Sequence, residues 1–186
     1  PAYFLVLTTL VIIDFANNTS FPNLWNYLFF IQNLNSPHPE WFQEAWSLSV
    51  EEWFYIIVPF LLFISIKFFK LEIKNSVLIV SSLILICVTV NRTYNFYELN
   101  NLTEKGWDLT FRKQVFFRLD SLMYGVLGAY LYKYANNLWF ENRKYYFVLG
   151  IIIAFVNKFC IPFDSGSLYS CVFSFGASLV TVSTFC

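Results

Sequence analysis

"WSLSVEEWFYIIVPFLLFISIKFF", residues 46–69, combines an apolar run of membrane-spanning length with two adjacent glutamates near its start. A helix needs about 20 apolar residues to cross ~30 Å of hydrocarbon, and 46–66 supplies a segment of that length. An acidic side chain at the bilayer centre costs roughly 2.5–3.5 kcal/mol on the insertion scale, so Glu51 and Glu52 are expected at a helix end. Ser49 and Glu52 have the S-x-x-E spacing of a capping box. Acids in a first turn also suit the helix dipole, by about 0.3–1 kcal/mol each. Capping explains one glutamate more readily than two. Successive helical side chains point about 100° apart, so if one faces headgroups the other faces the bundle. Tyr55, one turn after Glu51, is expected on that inner side, and Pro59 to kink the helix and open a polar cavity.

The whole chain has the same character. Of its 186 residues 58% are hydrophobic and 22% aromatic, and 13% are charged, against about 25% in a soluble domain. Mean hydropathy is +0.55, as expected of an integral membrane protein whose partner is the lipid bilayer. A net charge of zero gives no electrostatic basis for nucleic-acid binding. Cys87, Cys160, Cys171 and Cys186 lie in or beside apolar segments without CxxC spacing, and are expected to be buried free thiols rather than disulfides or metal ligands. GxSxG, HExxH, P-loop and dinucleotide motifs do not occur. "PAYFLVLTTLVIIDF" (1–15) opens inside an apolar segment and "SLYSCVFSFGASLVTVSTFC" (167–186) closes inside another. A single partial domain over 1–186, truncated at both ends, is therefore expected.

The expected fold is all-α: a polytopic transmembrane bundle of about six spans, near 2–15, 46–66, 75–90, 117–135, 145–161 and 167–186. "FPNLWNYLFFIQNLN" (21–35) is shorter and rich in Trp and Tyr, as expected of a re-entrant or interfacial helix. Lys67, Lys70 and Lys74 crowd one short loop, and Lys133, Arg143 and Lys144 another on the same side. Arg92, Lys105, Arg112, Lys113, Arg118 and Lys158 are spread thinly on the opposite side. Short dense loops obey the positive-inside rule best, which assigns 67–74 and 133–144 to the cytoplasm. Glu51–Glu52 and Arg118–Asp120 then lie at the same, outer face.

"FRLDSLMYGVLGAYLYK" (117–133) carries Arg118 and Asp120 at a span mouth, with Ser121, Gly125 and Ala129 as a small-residue stripe for close helix packing. An ideal helix places Arg118 on that stripe, facing a neighbour, and predicts proximity to Glu51 or Glu52. The plainer account is a snorkelling arginine with an N-cap aspartate. His38, the one histidine, sits in the Pro-flanked loop "NSPHPEW" (35–41) and receives little weight as a catalytic group.

These stretches resemble membrane acyltransferase family 3, polytopic enzymes that O-acylate cell-surface carbohydrates. "AWSLSVEEWFYIIVPFLL" (45–62) is similar to the family's W-S-L-x-V-E-E-x-F-Y stretch and the proline after it. "PAYFLVL" (1–7), "LWNYLFFIQNL" (24–34) and "FRLDSLMYGVLGAYL" (117–131) resemble further blocks in the expected order. The family's proposed catalytic histidine and its R-x-x-R motif would precede Pro1. The resemblance implies a multi-pass enzyme of the plasma (inner) membrane that moves an acyl group, acetyl by expectation, from cytoplasmic acyl-CoA to an extracytoplasmic carbohydrate hydroxyl. The acceptor would be a polysaccharide or lipopolysaccharide. Acyl-CoA is then a co-substrate, and no bound cofactor or metal is expected. It implies Glu51, Glu52, Arg118 and Asp120 as catalytic candidates, with Glu51 orienting a histidine or the acceptor. Arg118 would balance a carboxylate or an anionic donor group, with Asp120 fixing its position. Trp46, Ser47, Ser49 and Tyr55 are the substrate-binding candidates. A transporter or flippase of a polar or lipid-linked substrate is the alternative, since it too needs charges converging within a membrane.

Overall fold

The computed structural model describes residues 2–20, 22–99, 103–156 and 159, whose regular elements are all helical with no strand among them. Helix α1 is Ala2–Ala16, α2 Leu24–Leu28, α3 Ala45–Lys67, α4 Ile73–Glu98 and α5 Glu104–Trp107. A π-helical turn follows at Asp108–Arg112 and a 3-10 turn at Val115–Phe117. Helices α6, Leu119–Tyr134, and α7, Asn136–Phe155, complete the described chain.

Two of these helices, α3 and α4, are long and apolar enough to cross a membrane. At 1.5 Å per residue they reach ~35 and ~39 Å. The expected count of six spans is not what the described helices provide. With 15 and 16 residues, α1 and α6 reach only ~22 and ~24 Å, short of ~30 Å of hydrocarbon. The apolar part of α7 is confined to Lys144–Ile153, and the segment 167–186 lies outside the described residues. The 21–35 segment does contain a short helix, α2, capped by the Asn23 side chain, which accepts from the Trp25 N–H at 3.1 Å.

Each long helix ends where its sequence supplies a stop. Lys67 closes the last turn of α3, where a cation suits the dipole, and Lys70 takes a positive φ of 53° in the reversal to α4. Helix α4 outruns its expected end at 90 by eight residues, because the polar stretch after Val90 continues the helix beyond the apolar run. The core joins α3, α4 and α6. Val50 and Val58 of α3 meet Val80, Ile84 and Val88 of α4, Val115 of the 3-10 turn, and Leu119 and Met123 of α6. The spacing in α4 is four residues, one inward stripe on an otherwise bare helix.

Outside that stripe the long helices are open. Only 22% of the apolar window of α3 and 28% of that of α4 is buried; Phe60 and Ile86 are 61% and 62% exposed. Cys87 is also exposed, on α4, so it is not the buried thiol its apolar neighbours suggested; the other three cysteines lie outside the described residues. A second, smaller core fixes α1 against the loop before α3 through Leu7, Tyr27, Phe42 and Ala45. Two hydrogen bonds reinforce it: the Tyr3 hydroxyl donates to the Tyr27 carbonyl at 2.8 Å, and Trp41 Nε1 to Asp14 Oδ2 at 2.5 Å.

Candidate functional site

Polar side chains are buried together at one end of the bundle, where α3 and α6 begin and α4 ends. The segments 30–44 and 108–118 fold over this end and are stitched to each other. His38 N–H donates to the Leu109 carbonyl at 3.1 Å, and Val115 N–H to the Asn33 carbonyl at 2.9 Å. Asn33 Nδ2 returns a bond to the Lys113 carbonyl at 2.5 Å. Beneath them Gln32, Asn33, His38, Ser49, Arg92, Lys113, Gln114 and Asp120 are all buried.

The innermost element is an ion pair. Arg92 Nη2 lies 2.7 Å from Asp120 Oδ1, with both side chains 2% exposed. Removing two charges from solvent costs several kcal/mol per ion, offset only when the remaining donors are satisfied. Arg92 meets that condition by donating from Nε to the Phe117 carbonyl at 2.7 Å, and from Nη2 to the same oxygen. The pair joins the end of α4 to the first turn of α6. Arg92 continues the inward stripe of α4, one turn beyond Val88, and that every-fourth spacing is the signal that marks it as buried. An arginine on an apolar stripe requires an acid, and Asp120 supplies it across 28 residues.

Arg118 lies close by. Its guanidinium carbon sits 6.0 Å from the ring centre of Trp46 in α3, and that of Arg112 sits 5.9 Å from the same ring. The charges that bear on Arg118 are those of Asp120, Arg92 and Arg112. Arg118 thus faces a neighbouring helix as the sequence predicted, beside Trp46, and the Asp120 carboxylate acts on it. The small-residue stripe is not the cause. Gly125 and Ala129 are exposed, and a methyl group added at Gly125 would meet nothing within 4 Å. Arg118 is the N-cap of α6, with φ −125° and ψ −5°, so an ideal-helix projection from the stripe does not apply to it. Asp120 is likewise no N-cap; it occupies the first turn and points inward.

The candidates on α3 divide by face. Trp46 and Ser49 belong to the cluster: Ser49 Oγ accepts from Gln32 Nε2 at 2.5 Å and donates to the Ala45 carbonyl at 3.1 Å. Ser47, Glu51 and Tyr55 are exposed and Glu52 half-buried. Glu51 and Tyr55 do share a side, but it is the outer one. The capping box is also not formed, because α3 starts at Ala45 with Glu44 at its N-cap. Ser49 and Glu52 therefore sit inside the helix, where the early backbone N–H groups are no longer orphaned. Helix α3 passes through Pro59 without interruption.

His38 carries more structure than its loop position suggested. It is 1% exposed, and Nε2 lies 3.0 Å from the Phe42 carbonyl. A carbonyl can only accept, so Nε2 bears the proton and Nδ1 presents a lone pair; Nδ1 is buried without a hydrogen-bond partner. Burial lowers the pKa of His38 from 6.5, assisted by the Lys113 charge and opposed by the Phe42 carbonyl bond and Glu44. The imidazole is therefore neutral. Lys113 is itself paired, Nζ to Asp108 Oδ2 at 2.9 Å, and Arg112 Nε pairs with the other oxygen of Asp108. Among the described residues no group of three or more His, Cys, Asp or Glu side chains is placed to hold a metal ion.

Compared with family models, curated proteins and solved structures, the chain matches none.

Proposed function

We propose that this chain is the central part of a multi-pass membrane O-acyltransferase, one that transfers an acyl group from acyl-CoA to a carbohydrate hydroxyl across a plasma or inner membrane. One observation carries this reading. Three of the stretches that resemble acyltransferase family 3 lie far apart in sequence and meet at the buried cluster. Gln32 and Asn33 come from 24–34, Trp46 and Ser49 from 45–62, and Arg118 and Asp120 from 117–131. The ion pair and hydrogen bonds that bury these residues hold the stretches together, and a shared site would use that meeting.

The bare apolar flanks of α3 and α4 support residence in lipid, since a soluble core helix of that length would be mostly covered. Further spans would come from α1, α6 and α7, short helices accommodated by local thinning of the bilayer. In the reaction the carbohydrate hydroxyl attacks the acyl carbonyl, CoA leaves as its thiolate, and a base takes the hydroxyl proton. Arg118, held by Trp46 and Asp120, would orient an anionic part of a substrate at this end. Glu51 and Glu52 remain candidates at the rim.

Membrane vesicles carrying the whole enzyme of which this chain would be the central part test this reading, with labelled acetyl-CoA on the cytoplasmic side and carbohydrate on the other. The expected result is labelled carbohydrate, with transfer reduced at least about tenfold in Arg118→Lys, because an ammonium does not reproduce guanidinium geometry. Glu51→Gln is expected to lose about 10²-fold if that carboxylate handles a proton. Carbohydrate crossing the membrane unmodified would replace the enzyme with a transporter.

A further inference from the structure

The end of the bundle opposite the polar cluster carries a second concentration of charge, on its surface. There α3 ends, α4 begins and α6 ends. Lys67, Lys70 and Lys74 come from the α3–α4 connection and Lys133 from the last turn of α6, and all four are exposed. The connection 67–74 holds one acid, Glu72. Among the described residues none of these four lysines is in an ion pair.

Helix dipoles account for only part of this arrangement. Lys67 and Lys133 lie in last turns, where a cation is favoured. Lys74 lies in the first turn of α4, where the dipole opposes a cation. That turn contains no acid, and Glu72 at the N-cap makes no side-chain capping bond. Folding of α4 alone therefore gives no reason for a lysine at 74.

Lysines from two different helices nevertheless converge here. Lys74 Nζ is 5.8 Å and Lys133 Nζ 5.4 Å from the ring centre of Tyr134. An aromatic face attracts each ammonium but carries no net charge, so both remain available to one anion. Phe68, Phe69 and Tyr132 nearby in the chain are each more than half exposed. Aromatic rings among lysines at the end of an apolar helix suit the layer where acyl chains give way to headgroups. Lysines clustered beside a spanning segment favour anionic lipid.

We infer that Lys74 and Lys133, brought together at Tyr134, and Lys67 and Lys70 of the same end, bind the headgroups of anionic phospholipids. This site rests on residence of α3 and α4 in lipid, not on acyl transfer. The anionic leaflet then lies on the side that the positive-inside rule assigns to the cytoplasm.

The test melts the full chain in uncharged detergent with phosphatidylglycerol or phosphatidylcholine added at equal mole fractions. Phosphatidylglycerol is expected to raise the midpoint saturably, and phosphatidylcholine is not. Its apparent affinity is expected to fall about fivefold in Lys74→Gln or Lys133→Gln, and roughly 25-fold in the double variant. Both side chains are exposed, so these changes leave folding intact. Lys105→Gln removes an exposed lysine paired with Glu40 at the polar end, and is expected to respond like the unmodified chain. Equal responses in all variants, no response to phosphatidylglycerol, or an equal rise with soluble glycerol phosphate would overturn the headgroup site. Protease protection in phosphatidylcholine vesicles separates this site from membrane residence itself. A chain that inserts there but shows no lysine-dependent preference overturns the headgroup site alone. One that fails to insert overturns membrane residence and the site with it.

Discussion

The middle of the α3–α4 pair and its polar end bury opposite kinds of residue. In the middle, Phe60 and Ile86 are more than half exposed; at the end, Arg92 and Asp120 are almost wholly enclosed. Water alone would produce the reverse, with apolar groups inside and charges out. Burial at the polar end follows the availability of partners: Arg92 has a carboxylate and a carbonyl, Gln32 a hydroxyl, Asn33 two carbonyls. Exposure in the middle needs no partner if hydrocarbon surrounds it. The contrast teaches that burial along α3 and α4 is set by polar partners at one end and by a single apolar stripe in the middle, with two helices that are long and apolar enough to cross a membrane.

The largest expected effect comes from breaking the polar end at its centre. Asp120→Ala leaves the Arg92 guanidinium buried without its carboxylate, a loss of roughly 3–5 kcal/mol. Arg92→Met/Asp120→Leu removes both charges and is expected to recover most of it. Thermal melting of the full chain in detergent measures both. A single variant as stable as the unmodified chain would mean that the ion pair does not hold α4 to α6.

The middle is tested by the opposite substitution. Ile86→Asp puts a charge on an exposed face near the centre of α4. In a bilayer it is expected to cost about 2.5–3.5 kcal/mol of insertion free energy, whereas on a water-exposed surface such a change stays within about 0.5 kcal/mol. Protease protection of the α3–α4 hairpin in membranes decides between them. Unaltered insertion would remove lipid as the explanation for the bare helices.

Much of the polar end was legible in sequence, and the part that was not has a physical cause. The apolar run and the charges at its start located α3, and the alternation of spans and loops placed 51–52 and 118–120 at one end. The inward face of α3 was not legible. A helix start can shift by several residues without changing composition, and starting at Ala45 rather than near Ser49 turns the capping box into two ordinary helical positions. Arg92 was counted as a loop charge because hydropathy falls after Val90, although the helix and its four-residue stripe continue. The Pro-flanked loop gives His38 little weight in sequence as a catalytic group and says nothing of its burial. What buries it is the segment around Leu109, about 70 residues later, which no local pattern reveals.

A finer cut through the same boundary lies within one turn of α3. Ser49 is buried and accepts from Gln32 at 2.5 Å; Ser47 is exposed and makes a long 3.4 Å contact with the Glu44 carbonyl. Ser49→Ala is expected to cost about 1–3 kcal/mol, the cost of leaving a buried amide donor unmatched. Ser47→Ala should change stability by no more than about 0.5 kcal/mol. Equal effects in melting experiments would erase the distinction between the two faces.

The smallest effect probes the rim of the polar end through His38. Its folded pKa is lowered from 6.5, chiefly by burial, so the unfolded chain binds a proton more readily than the folded one. The resulting stability is fully present above about pH 6.5 and declines as pH falls from there through the folded pKa. Charging the ring is unfavourable because burial leaves Nδ1 without an acceptor and the Lys113 ammonium adds repulsion; the Phe42 carbonyl and Glu44 oppose this only in part. His38→Gln provides the comparison, since an amide N–H can still donate to the Phe42 carbonyl but does not titrate. The unmodified chain is therefore expected to lose more melting temperature between pH 7.5 and pH 5.5 than the variant does. Parallel losses would assign the acid sensitivity to carboxylates elsewhere. A smaller loss in the unmodified chain would mean that protonation of His38 is favoured by folding, and that the ring is accessible rather than enclosed by the segment around Leu109.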